Sequence, residues 1–164
     1  MLTPPNVASG RIHLITGPRP TAQARMHTLA VQYALAGPLR LLVGGNHFDV
    51  YEIAYALAAR SSRYYEILEE HILLARAETC YQMAELLKDT QASPLPTLVM
   101  DFLAPFYEEG MAEKEVDALF FASLQELRRL CRQAVLVVGA SPHEPRLRLL
   151  KALEKAAGQV ERCS

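Results

Sequence analysis

A three-layer αβα sandwich around a mostly parallel five-stranded sheet is the fold class this sequence predicts. Five short apolar runs alternate with stretches of helical periodicity, the pattern of a sheet covered on both faces by helices. The first run, Ile12 to Thr16, is apolar almost throughout instead of alternating, as a strand buried on both faces requires. Several runs end in glycine, at Gly17, at Gly44-Gly45 and at Gly139, where the chain can turn out of the sheet.

After the first strand, Pro20 is expected to hold off helix formation and Thr21 to cap a helix carrying Met26, Leu29, Ala30, Tyr33 and Ala34 up to Gly37-Pro38. Strand two is expected at Leu39 to Val43. Asp49 is a suitable cap for a second helix that turns Ile53, Ala54, Leu57 and Ala58 towards the sheet. Residues 61–70 either continue this helix or break it. Strand three is expected at His71 to Ala75, followed by a helix capped by Thr79 with Met83, Leu86 and Leu87 on one face. Strand four, Pro96 to Asp101, ends in a carboxylate. A long helix from near Ala112 to Arg132 shows a continuous apolar face of Val116, Leu119, Phe120, Ser123, Leu124, Leu127 and Leu130. Strand five is the β-branched run Ala134 to Val138, and a last helix runs from Arg146 to Ala157. The sheet is expected to stop at strand five, with residues 1–10 as a tail and 11–164 as one domain.

With 164 residues, 51% hydrophobic and 21% charged, the chain has the composition of one globular domain. No run approaches the roughly 20 apolar residues of a membrane span, and the N-terminus lacks a basic segment leading into an apolar one, so a cytoplasmic protein is expected. Cys80, Cys131 and Cys163 match neither a disulfide framework nor a zinc site, and free thiols follow. The net charge of -1 is unevenly spread: about +4 over the first 48 residues, about -10 from Glu66 to Glu126 and about +5 from Leu127 onward.

In a parallel sheet ligands bind beyond the carboxyl ends of the strands. That rule directs attention to residues 17–24, 44–49, 76–80, 101–109 and 139–143. An apolar strand, Gly17, a short loop and a helix is the layout of a phosphate-binding P-loop, worded G-x-x-x-x-G-K-S/T. The last three positions hold Ala22, Gln23 and Ala24. The layout is kept and the reactive side chains are absent.

Together these strand ends resemble the core of RecA-like recombinases, nearest to the archaeal RadA branch and its eukaryotic paralogues. The likeness rests on Gly17 to Arg25 with Thr21 kept, on Gly45-Asn46-His47-Phe48, on Leu74-Ala75-Arg76-Ala77 followed by Tyr81-Gln82-Met83, and on Leu98 to Leu103 with Asp101 at the Walker B position. The resemblance implies a RecA-like P-loop NTPase fold, truncated after strand five. It also implies what is lost. Gln23, Ala24 and Gly45 stand where the family has a phosphate-binding Lys, a Mg²⁺-binding hydroxyl and a water-polarising Glu. Phosphoryl transfer depends on positioning and charge neutralisation, so no catalytic residue is expected.

The sequence reading is therefore a catalytically inactive module that acts through a protein partner in DNA recombination or repair, with no cofactor required. Two alternatives stay open: a nucleotide-binding ATPase or switch using Arg19 or Arg25 in place of the Lys, and an interaction module in an assembly without DNA. Residual nucleotide or phosphate binding, with ATP and Mg²⁺ disfavoured, would fall to Gly17, Arg19, Thr21, Ala22, Gln23, Ala24, Arg25 and Asp101. DNA within a complex would be met by Arg128, Arg129, Arg132, Arg146, Arg148 and Lys151, with Lys155 beside them. His47, Asp101 and His143 share one end of the sheet and raise the question of a metal site. Cys80, near a helix start, raises that of an activated thiol. Phe102 to Tyr107 is either a partner surface or core.

Overall fold

The computed structural model describes residues 7–164, so most of the expected tail lies outside the described residues. Six strands, all parallel, form one open sheet in the order β3-β2-β4-β5-β1-β6. They are β1 (Ile12–Thr16), β2 (Leu39–Gly44), β3 (Ile72–Ala77), β4 (Thr97–Met100), β5 (Leu136–Ala140) and β6 (Gln159–Arg162). The helices are α1 (Arg19–Ala36), α2 (Val50–Ala58), α3 (Tyr64–His71), α4 (Cys80–Asp89), α5 (Glu113–Cys131) and α6 (Leu147–Ala156).

Alternating strand residues feed two separate cores, which is what makes the fold three-layered. Ile12, Leu14, Leu42, Val99, Leu136 and Val138 pack with α4, α5 and α6 on one face. Ile15, Leu39, Leu41, Val43, Leu98, Met100 and Val137 pack with α1 and α2 on the other. Phe102, Leu103, Pro105 and Phe106 are buried, so this apolar run is core and not a partner surface.

Three expectations need correction. The sheet does not stop at strand five: β6 returns beside β1, pairing His13 with Gln159 and Thr16 with Arg162. Its sequence, Gln-Val-Glu-Arg, has one apolar residue, because a short half-exposed edge strand needs no apolar pattern. Pro20 does not delay α1, which is already helical at Arg19; proline is tolerated in the first turn, where its missing N–H has no partner to lose. Thr21 accordingly caps nothing, and its hydroxyl donates to the Pro18 carbonyl at 2.9 Å. By contrast Asp49 accepts from the Tyr51 N–H at 2.9 Å, and Thr79 forms a full capping box with Gln82. Residues 61–70 resolve into a turn and the separate helix α3.

Candidate functional site

The carboxyl ends of β2, β4 and β5 meet the first turn of α1, where an open parallel sheet places its ligand crevice. Asp101, directly after β4, stands at the centre with φ +51°, the one described non-glycine residue at positive φ. Its carbonyl lies against Gly44, where a side chain would collide with it. Such a backbone costs on the order of 1 kcal/mol or more and persists only where the surroundings impose it.

The side chains around Asp101 are turned onto one another. Arg19 Nε lies 3.3 Å from Asp101 Oδ2, and His47 Nδ1 lies 3.9 Å from the same oxygen. Arg19 Nη1 also approaches His47 Nε2 at 3.4 Å, and Gln23 Nε2 donates to the His47 carbonyl at 3.0 Å. Burial pushes the Asp101 carboxyl above its ordinary value, with the charges of Arg19 and His47 opposing that rise. The Arg19 and Asp101 charges are close, but neither Arg19 Nε nor Asp101 Oδ2 has a well-formed hydrogen bond. Tyr107 completes the rim by donating to the Ser141 carbonyl at 2.6 Å while its ring packs on His143 at 4.8 Å. Burial, with the Asp101 charge adding to it, raises the Tyr107 hydroxyl well above its ordinary range.

Behind Arg19 remains a cavity of about 20 Å³, lined by Met26, Phe48, Met100 and Asp101 among others. That is room for one water molecule and far short of a nucleotide. In front lies a groove of about 300 Å³ whose walls include Glu78 and Glu108 beside Arg19 and His47. Two carboxylates against one arginine, itself already lying on Asp101, make it a poor seat for a triphosphate.

The expected phosphate loop is not a loop. Helix α1 begins two residues after Gly17, and the Ala22 N–H is already bonded to the Pro18 carbonyl at 2.9 Å. Helix N-termini hold anions with their unpaired first-turn N–H groups, and here Pro18 and Pro20 remove two of them. Gly17 itself faces β6: a Cβ there would lie 2.5 Å from the Cys163 carbonyl oxygen, while the Cys163 N–H bonds to Thr16 at 2.7 Å. Arg25 is held by Glu161 on β6 at 2.8 Å, and Ala24 is exposed.

The six basic residues expected at DNA do not form one free surface. Arg146 is buried and donates to the Phe106 and Glu108 carbonyls, both at 2.7 Å, and pairs with Glu113. Arg148 pairs with Glu113 and Asp117, and Arg129 closes the end of α4 through the Leu87 and Thr90 carbonyls. Arg128, Arg132 and Lys151 are exposed. No group of three His, Cys, Asp or Glu side chains among the described residues can hold a metal, and His143 is stacked on Tyr107 instead of facing Asp101. Cys80 is buried with its thiol on the Met111 sulfur at 3.2 Å, and burial raises its pKa, the opposite of activation.

Sequence reasoning missed the contacts that the C-terminal end of the chain makes with the start of α1 and the turn before it: Glu161 on β6 with Arg25, and Cys163, just after β6, with Thr16 and Gly17. It also missed the Gln23–His47 and Tyr107–Ser141 hydrogen bonds. These are contacts across the fold, and no local pattern announces them.

The class defined by sheet and crevice is thus an open parallel α/β protein whose ligand end is filled by its own side chains. No family model matches the chain, and no curated protein is similar enough to it to count as a relative. No helix among the described residues is long and apolar enough to cross a membrane.

Proposed function

We propose that this chain is a RecA-like, catalytically inactive module that resembles the recombinase paralogues and acts through a protein partner in DNA recombination or repair. The observation that carries the reading is the filled crevice: Arg19 lies on Asp101, Gln23 holds the His47 loop, and the space left behind Arg19 is about 20 Å³. An enzyme of this class needs that space for nucleotide. The edge strand β3 supports the second half of the reading, since Leu73 and Leu74 are 50% and 40% exposed on a strand paired on one side only. Uncovered strand edges and clustered apolar side chains are surfaces that partners take.

Titration of the protein with Mg-ATP in a calorimeter tests the proposal. No saturable heat and no phosphate release are expected, and micromolar binding with turnover would overturn it. Substituting Arg19 by Lys should not restore turnover, because Ala24 and Gly45 still lack the hydroxyl and the carboxylate.

A further inference from the structure

Four of the seven tyrosines, Tyr51, Tyr55, Tyr64 and Tyr65, stand on α2 and α3, with 69%, 78%, 39% and 61% of their surface exposed. Tyrosine has a large apolar ring with one polar tip, and it is enriched among the residues that anchor protein interfaces. On α2, Ile53 and Leu57 point into the core. Tyr51 and Tyr55, each two residues from one of these and so about 200° around the helix, point away from it. On α3 no residue is fully buried, and Ile67 and Leu68 reach the core only in part. These two helices pack together, and each presents exposed rings to solvent.

The charge around the rings is mainly acidic. Residues 49–71 hold five acidic side chains against Arg60 and Arg63. Arg63 is taken by Glu66 at 2.7 Å, and Glu52 is taken by His27 of α1 at 2.9 Å. Glu69 and Glu70 have no ion-pair partner among the described residues, and Glu69 sits beside the Tyr65 hydroxyl. Next to them runs a groove of about 660 Å³ with Leu35 and Ile67 as apolar floor and Glu66 and Glu70 on its walls, beside Arg60 and Arg63. Aromatic faces and carboxylates together favour the guanidinium of arginine, which stacks on the one and bonds the other in pairs. Phosphate-bearing partners, nucleic acid or anionic lipid, meet five acidic side chains against two basic ones over residues 49–71.

We propose that the α2–α3 face docks an arginine-bearing segment of a protein partner, with Glu69 and Glu70 taking guanidinium groups and Tyr51, Tyr55 and Tyr65 stacking on that segment. This deepens the interaction-module reading and rests on it.

The chain has no tryptophan, and four of its seven tyrosines lie on α2 and α3, so a change in tyrosine emission that is lost in Tyr51→Ala/Tyr55→Ala reports on this face. The probe is a short Arg-Gly-Ser repeat peptide, with the same peptide carrying Glu for Arg as control. Saturable binding of the Arg peptide alone is expected. It should weaken roughly tenfold in Tyr51→Ala/Tyr55→Ala and in Glu69→Gln/Glu70→Gln, and stay unchanged in Glu115→Gln on α5. All variants should keep the parent melting midpoint, since the substituted side chains are exposed. The proposal is overturned by absent saturation, by equal loss in Glu115→Gln, or by variants without effect. Tighter binding to oligothymidine or phosphatidylserine vesicles would also overturn it, as would a dimer in sedimentation abolished by the same variants. Mg-ATP titrated into the same samples separates the two failures: heat with nucleotide sinks the module reading, whereas silence with both ligands sinks only this face.

Discussion

At the β1–β5–β4 flank of the sheet polar side chains are turned onto one another, whereas at the β3 flank apolar and aromatic side chains are left facing solvent. Arg19, Gln23, Arg25, His47 and Asp101 make their contacts within the chain, and β6 covers the outer side of β1. Leu73 and Leu74 on β3, with the tyrosines of α2 and α3, have no such cover. Both regions belong to one sheet, so the difference does not come from the fold class. It separates side chains that are satisfied within the chain from side chains that are left to solvent. The side chains of the first flank find their partners within the chain, and substitutions of its buried and close-packed residues should register as folding free energy. On the proposed reading, substitutions at the other flank should register in binding.

The sharpest way to break the comparison is Arg146. Its guanidinium is buried, serves two carbonyls and pairs with Glu113. Arg146→Met should cost about 3–5 kcal/mol, the loss of a buried charge whose partners are then left unpaired. Urea unfolding would read this as a lower midpoint at unchanged slope. A stable variant with weakened DNA retention would return Arg146 to the nucleic-acid surface that the sequence suggested.

Gly17→Ala comes next. At φ +150° a Cβ would stand 2.5 Å from the Cys163 carbonyl, so β6 has to shift or the loop has to strain. A loss of about 1–3 kcal/mol is expected. In a chain ending at Gly158 the same substitution should cost less, which a double-mutant comparison of melting midpoints would measure. Equal costs in both backgrounds would mean that Gly17 serves its own turn and not the closure by β6.

The strands were legible in the sequence to within two residues where they were apolar and bounded by turn residues, as at Ile12 to Thr16. Legibility failed where tertiary context supplied what the local pattern lacked. Residues 159–162 pair with β1 although only Val160 is apolar, because the hydrogen-bond ladder and the Arg25–Glu161 pair hold them. Helix α3 is helical without a buried residue, so no apolar stripe marks it. Asp101 was visible as a strand-end carboxylate, but its partner was not: Arg19 reads in sequence as a loop cation and is in fact in the first turn of α1. The distinction between a phosphate cradle and a helix start turned on Pro18 and Pro20, whose missing N–H groups are plain in sequence once the helix boundary is known.

Asp101→Asn gives the smallest effect and the most specific one. The carboxyl's folded-state pKa is raised above its ordinary 3.8, so over the window above that value the folded protein binds more protons than the unfolded chain. Stability contributed by this group is therefore present at low pH and is lost as pH rises through the window to the raised value. Asparagine tolerates positive φ and keeps the shape, but it removes both the buried charge and the attraction to Arg19. These effects oppose each other, and the net change at neutral pH should stay within about 1 kcal/mol. What should change is the slope: the parent's unfolding free energy should fall more steeply than the variant's as pH rises from 3.8, in urea titrations at matched ionic strength. Parallel curves would mean that Asp101 ionises as freely in the folded protein as in water. The crevice would then be wet, and the contrast between the two flanks would lose its physical basis.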